Sequence, residues 1–286
     1  MKLEIYLPAP LSRVTQGWNQ NANDFYKDNG LTGHTSYDWH FDHGEDVPNC
    51  VKDAYCYSVM NKDHQDPMKY RAVFTLVNAD NGFSDWAEVS YGHADKILAE
   101  VGKTYQPGDI LMTAGNTGDV YAGGRYVTKE EKLKGSKAGT HLHGPQVRPV
   151  KRVKKTSRRK EYLYDGFGIL KIDGYYFEIV DYNNGVNGCV NPELFFNNIQ
   201  ALGPKQFVFT KDLYLGITDP EVLALQRFLN KEGFSVAWWG NGSKGRETDY
   251  FGYLTRSAVA RYQKAKGIYP PKGYFGPLTR GYINTL

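Results

Sequence analysis

The stretch Ala138–Gly144, AGTHLHG, sets His141 and His143 on alternate positions of a segment that reads as a β-strand. Side chains at i and i+2 of a strand leave the same face. The two imidazoles therefore enter one space, with Leu142 buried behind them. Neutral imidazole is the commonest metal ligand near physiological pH and also carries protons. A hydrogen-bonded structural pair would give the same letters, and HLH by itself fits that reading slightly better. Histidine is otherwise scarce: seven residues, all before position 144.

A second cluster changes the balance. Residues 33–47 read GHTSYDWHFDHGEDV, with His34 and Asp38 four positions apart. In extended chain these two again share a face. Two imidazoles and one carboxylate on one ion leave a fourth position open, the arrangement that catalytic zinc requires. An isolated H-x-x-x-D says little. Followed by H-x-H about a hundred residues later, it points to a metal site.

Composition sets the frame. A hydrophobic fraction of 41% and an aromatic fraction of 14% belong to a folded globular chain. The many tyrosines and glycines suit a body rich in strands and loops. No run approaches the roughly 20 apolar residues of a membrane helix. The opening MKLEIYLPAPLSRV lacks the apolar core of a signal peptide. The net charge of +4 permits attraction to an acidic polymer without naming one. Cys50, Cys56 and Cys189 form neither a disulfide framework nor a zinc ribbon and read as buried thiols; a Cys50–Cys56 bridge would need an oxidising compartment.

Along residues 1–204, short β-prone runs such as YRAVFTLVNA (70–79), DILMTAG (109–115) and YYFEIVDY (175–182) alternate with Gly, Asn and Asp clusters. This predicts a mainly β domain. Two insertions interrupt it, a polar loop at about 119–138 and a second at about 148–180. The second opens with RPVKRVKKTSRRK (148–160), which carries eight basic side chains and reads as a solvated hairpin or arm. No aromatic platform accompanies it, so no nucleic-acid partner is expected. Residues 205–286 change character. In TDPEVLALQRFLNKEGF, Asp219 caps a helix, Pro220 opens it, Gly233 ends it, and Val222, Leu225, Phe228 and Leu229 share its inner face. LTRSAVARYQKAKGI repeats the plan, with Thr255 as cap and Ala258, Val259 and Tyr262 inward. YFGYLTR (250–256) recurs as YFGPLTR (274–280), so a small helical bundle of repeated units is expected.

The ordered series Y-x-H at Tyr91–His93, YQPGDIL (105–111), GNTG (115–118) and THLH (140–143) resembles the core of the lysostaphin-type zinc metallopeptidases, which cut peptidoglycan peptides. TQGWNQNANDFYKDNGLTGHTSYD (15–38) is similar to that family's entry into its first ligand motif. The likeness spans about residues 14–147 and continues weakly at GVNGCVNPELFF (185–196). It implies an antiparallel, lysostaphin-like sheet and one catalytic Zn2+ held by His34, Asp38 and His143. His141 and His93 then match the two catalytic histidines that do not hold metal, His141 as general base and His93 orienting water or stabilising charge. Three features depart from the pattern: Ser36 in place of glycine, the long 119–138 loop, and Gly144 where an aromatic residue is usual. His40, His43 and His64 receive no role.

The C-terminal pattern resembles the small three-helix peptidoglycan-binding domain appended to many wall hydrolases. Tyr250, Phe251, Tyr274 and Phe275 read mostly as core and turn residues, and Trp238 and Trp239 as possible sugar-stacking groups. The combined expectation is a zinc endopeptidase of bacterial peptidoglycan, monomeric and not inserted in a membrane. It would act outside the cell or in the wall, either as a phage-type endolysin or as a bacterial enzyme whose leader is missing here. An inactive wall-binding or amidase-activating protein of the same fold is the alternative, and the retained ligands argue against it.

Overall fold

The computed structural model describes residues 1–20, 26–27, 30–183, 186–197 and 208–284. The chain divides into two compact units, Met1–Lys205 and Gln206–Leu286. The junction expected at 204–205 lies outside the described residues.

In the first unit the described strands are β1 (Val14–Gln16), β2 (Asp38–Trp39), β3 (Asp46–Pro48), β4 (Ala54–Met60), β5 (Ala72–Asn78), β6 (Trp86–Gly92) and β7 (Ala94–Ile97). There follow β8 (Thr104–Tyr105), β9 (Ile110–Ala114), β10 (Tyr121–Ala122), β11 (Arg125–Tyr126), β12 (Leu142–Val153), β13 (Lys171–Ile172) and β14 (Tyr175–Ile179). The main sheet runs β1-β2-β12-β6-β5-β4-β8, with the β13–β14 hairpin attached to β12 through β14, and every pairing is antiparallel. A smaller sheet, β3-β9-β7, is antiparallel as well. This is the mainly β, antiparallel architecture expected from the sequence. Its core gathers Ile5, Trp39, Val89, Tyr91, Leu111 and Leu142, all fully buried.

β12 is the axis of the sheet, and its register shifts between His143 and Gln146. At that irregularity Gly144 has φ of +136°, and a Cβ there would lie 2.7 Å from the Ser90 carbonyl oxygen. A side chain is excluded, which explains why this chain has glycine at the position. Before the shift Leu142 faces the core; after it Val147 does.

The basic run at 148–160 is not simply a solvated arm. Residues 148–153 complete β12 and pair with both β6 and β14. Arg148 lies within the sheet, its guanidinium donating to the buried Glu88 carboxylate at 2.8 Å. Hydrophobic side chains further along, Leu163, Leu170, Phe177 and Ile179, bury with Tyr57 and Leu76 in a second cluster. All three cysteines are free and buried, so the Cys50–Cys56 bridge is not formed.

The polar stretch 119–138 is also folded. It contains the β10–β11 hairpin and a short helix, α1 (Lys129–Leu133), closed by a capping box between Thr128 and Glu131.

The second unit holds α2 (Pro220–Lys231), α3 (Tyr253–Ala265) and α4 (Pro277–Asn284). Asp219 caps α2 by accepting from the Glu221 N–H at 2.9 Å. Val222, Leu225 and Leu229 are fully buried and Phe228 packs against them. Thr255, expected to cap the next helix, lies instead inside its first turn, and the cap position is Gly252, whose backbone accepts without side-chain help. The reason is the repeat. The buried Gln226 donates to the Tyr250 carbonyl and to Thr255 Oγ1, and accepts from the Thr248 N–H. The buried Gln263 donates to the Tyr274 carbonyl and to Thr279 Oγ1, and accepts from the Gly273 N–H. Each threonine of the repeated LTR is thus spent on an amide lock rather than on a cap. Phe251 and Phe275 are core, whereas Tyr250 and Tyr274 are about half exposed and Trp238 and Trp239 stand almost wholly in solvent.

Among the described residues no helix is long and apolar enough to cross a membrane.

Candidate active site

β12 begins between β2 and β6, so His143 stands opposite Asp38 on one side and Gly92 on the other. Opposed residues of an antiparallel pair have Cβ atoms about 4.5–5.5 Å apart. The sheet itself therefore brings the two side chains together, with His143 Nδ1 3.0 Å from Asp38 Oδ1. His34 arrives from the segment before β2, its carbonyl accepting from the Asn19 N–H at 2.8 Å and its N–H donating to the Gln20 carbonyl at 3.2 Å. Nε2 of His34 then lies 3.2 Å from the same Asp38 oxygen and 3.1 Å from His143 Nδ1.

The far nitrogen of each ring determines what its near nitrogen offers. His34 Nδ1 lies 3.2 Å from the Gly17 carbonyl, to which its N–H donates, leaving a lone pair on Nε2. His143 is turned the other way: Nε2 is 3.4 Å from Thr35 Oγ1, and Nδ1 faces Asp38 and His34. Three lone-pair atoms at 3.0–3.2 Å repel one another unless positive charge lies between them. A tetrahedral ion with bonds of about 2.0–2.1 Å keeps its ligand atoms about 3.3–3.4 Å apart. The spacing here is close to that, and the donor set of two imidazoles and a carboxylate fits one small divalent ion. Burial alone would raise the Asp38 carboxyl, but the facing imidazoles of His141, His143 and His34 outweigh it and hold it well below the usual carboxylate range. Burial lowers the His143 pKa, partly offset by Asp38. Both shifts keep the ligands in the form that binds metal.

His141 and His93 sit beside this triad rather than in it. His141 Nδ1 is 2.8 Å from the Gly139 carbonyl, so its N–H points there and Nε2 looks into the cleft, 3.6 Å from Asp38 Oδ1. His93 follows β6 with φ of +62°, a left-handed conformation that costs a non-glycine residue about 1–2 kcal/mol. That conformation aims Nδ1 at the Thr117 carbonyl, 2.6 Å away, and its ring centroid lies 4.4 Å from that of His141. Burial, followed by the charges of His141 and His143, holds His93 well below its ordinary pKa. Each ring thus turns Nδ1 to a backbone carbonyl and Nε2 to the cleft.

The cleft encloses about 740 Å³. Its walls include residues that sequence reasoning missed. Tyr26 sets its ring edge-on to His34 at 6.1 Å, and its hydroxyl accepts from Gln16 Nε2 at 2.9 Å. Tyr70 stands edge-on to His93 at 4.9 Å in space that only a glycine at 92 leaves open. Tyr121 and Tyr126 come from the 119–138 segment. None belongs to a spacing motif, and Thr35 alone carried a signal, as the neighbour of a ligand. The other histidines lie apart: His40 and His64 are exposed, and His43 Nε2 meets Lys137 at 3.2 Å and Asp95 at 3.6 Å.

Among solved structures the chain is similar to a catalytic-domain mutant of the prophage-encoded M23 protein EnpA from Enterococcus faecalis, at 16% identity and a TM-score of 0.31, covering 50% of this chain and 86% of that one. It is similar to lysostaphin in solution at 16% identity and a TM-score of 0.30, covering 54% of this chain and 49% of that one. A zinc-containing peptidase from Vibrio cholerae matches at 21% identity and a TM-score of 0.30, covering 49% and 36%. No curated protein matches the sequence. Residues 218–283 match the family model described as a putative peptidoglycan binding domain, and the C-terminal unit is similar to that family.

Proposed function

We propose that the chain is a zinc-dependent endopeptidase that hydrolyses peptide bonds in bacterial peptidoglycan, a wall-lytic enzyme carrying its own wall-binding domain. One observation carries this reading: a triad of side-chain atoms fit for one ion, with two further imidazoles turning Nε2 to the same cleft. His34 Nε2, Asp38 Oδ1 and His143 Nδ1 would hold zinc. When bound, zinc supplies Lewis acidity that polarises a peptide carbonyl and makes water a nucleophile near neutral pH.

The remaining work falls to the chain. His141 Nε2 accepts the proton of the attacking water, because its Nδ1–H is already committed to Gly139. The same nitrogen returns that proton to the departing amine. His93, fixed by Thr117, accepts a hydrogen bond from that water and holds it in line. The C-terminal unit keeps catalyst near polymer and raises its effective concentration there.

The test is the clearing of a purified cell-wall suspension. Clearing should stop with chelator and return with zinc. Zinc-loaded protein that leaves walls of every cross-link chemistry turbid would refute the proposal.

A further inference from the structure

The segment 119–138 departs from the lysostaphin pattern, and it forms one wall of the cleft. Gly123 and Gly124, at φ of +60° and +80°, make the two-residue turn of the β10–β11 hairpin. Tyr121 and Tyr126 are opposed across it, ring centroids 4.0 Å apart, 49% and 41% exposed and facing the cleft. The hairpin is fixed at its base. Val127 is buried and its N–H donates to the Val120 carbonyl at 3.0 Å, while Asn116 Nδ2 holds the carbonyls of Ser136 and Ala138. A rigid pair of half-exposed rings beside a metal triad has the features of a binding wall.

The segment has five basic side chains and each has a partner: Arg125 with Glu131, Lys129 with Asp66, Lys132 with the Gly118 carbonyl and the charge of Asp119, Lys134 with Glu130 and Lys137 with His43. No lysine or arginine lines the cleft among the described residues. Asp119 does, and among the described residues outside the triad it is the carboxylate on that surface. A carboxylate ligand would find no cationic side chain there. An ammonium on an aliphatic stem would find aromatic faces for both the stem and the charge, with a carboxylate beside them.

We propose that Tyr121, Tyr126 and Asp119 form a substrate subsite for a primary ammonium carried on an aliphatic chain, such as the side chain of a diamino acid next to the cleaved bond. This subsite deepens the peptidase reading and rests on it for the cleft being a substrate cleft. The probes are dye-labelled, amidated Ala-Gln-Lys-Ala and the same peptide acetylated at the lysine amine. Their binding to the full chain is followed by fluorescence anisotropy with chelator present, so that turnover plays no part. The free-amine peptide should bind about fivefold to thirtyfold more tightly. Tyr126→Leu and Asp119→Asn should bring that ratio toward one, Tyr126→Phe should keep it, and zinc uptake should be unchanged in all three. Equal affinities in the unaltered protein, no saturable binding of the free-amine peptide, or a ratio indifferent to Tyr126→Leu and Asp119→Asn would each overturn the subsite. Wall clearing with zinc is read separately: its absence with the ratio intact refutes the peptidase reading and supports the subsite.

Discussion

Replacing His141 or His143 by alanine removes the same side chain from positions two residues apart, yet the two changes should fail in different ways. His143 Nδ1 lies 3.0 Å from Asp38 Oδ1 and 3.1 Å from His34 Nε2, inside the triad. Structural zinc sites bind with about 10–16 kcal/mol shared among four ligands. One ligand is therefore worth about 3–4 kcal/mol, or about 10²–10³-fold in Kd. His143→Ala should lose zinc on dialysis against a weak chelator and lose activity with it. His141 contributes no atom to the triad. His141→Ala should keep one zinc per chain while turnover falls about 10²–10⁴-fold, the range for a positioned acid–base group. Elemental analysis of the dialysed proteins, paired with initial rates of wall clearing, separates the two. Equal zinc in both variants would refute this division of labour, as would full turnover in His141→Ala.

Three other outcomes follow from the same geometry. In the metal-free protein the buried His93 and His143 have depressed pKa values, so below the ordinary histidine pKa of about 6.5 the unfolded chain binds more protons than the folded one. Stability should therefore be full above about pH 6.5 and decline on acidification, with a further loss below about pH 4 as the depressed Asp38 is protonated; a thermal midpoint that rises as the pH falls through 6.5 would contradict this. Thr35→Val removes the hydroxyl 3.4 Å from His143 Nε2 and should weaken zinc about 10–100-fold without unfolding the unit, as measured by competition with a chromophoric chelator. Gln263→Leu leaves the Tyr274 carbonyl and Gly273 N–H without partners and should cost the helical unit about 2–5 kcal/mol, read by circular dichroism in denaturant; a loss under about 1 kcal/mol would mean the lock is not structural.

Strand registry made Asp38 and His143 legible as neighbours, whereas His34 reaches them from the segment before β2, outside any described strand. A strand carries periodicity in its letters, and His143 meets Asp38 because the two are opposed in neighbouring strands. Which nitrogen each imidazole turns inward was not legible. It depends on carbonyls at Gly17 and Gly139 and a hydroxyl at Thr35, which fold beside the rings without any spacing signal. The 148–160 run misled for a related reason. Its charge count reads as solvated, yet Arg148 finds Glu88 across the sheet, and a buried ion pair looks like surface when only one partner is in view. Thr255 reads as a cap from its neighbours alone; the deciding partner, Gln226, is 29 residues away.

The same distinction explains why the 119–138 loop matters more than its composition suggests. Read as letters, it is polar, glycine-rich and lysine-rich, the description of a solvated excursion. In the fold, its lysines turn to hydrogen-bond partners that do not line the cleft, and what lines the cleft from the segment is two tyrosines, an aspartate and Val120. A loop that only filled space would have no reason to fix its hairpin by a capping box, a bidentate Arg125–Glu131 pair and Asn116 at its base. Ordering a segment of that length costs about 1–2 kcal/mol per residue in backbone entropy. On the proposed reading, an ordered segment next to the His34–Asp38–His143 group puts substrate choice in the segment and chemistry at the group. The two should therefore separate under mutation: changes at Tyr121 or Tyr126 should alter which peptides bind, and changes at His34, Asp38 or His143 should alter whether any are cut.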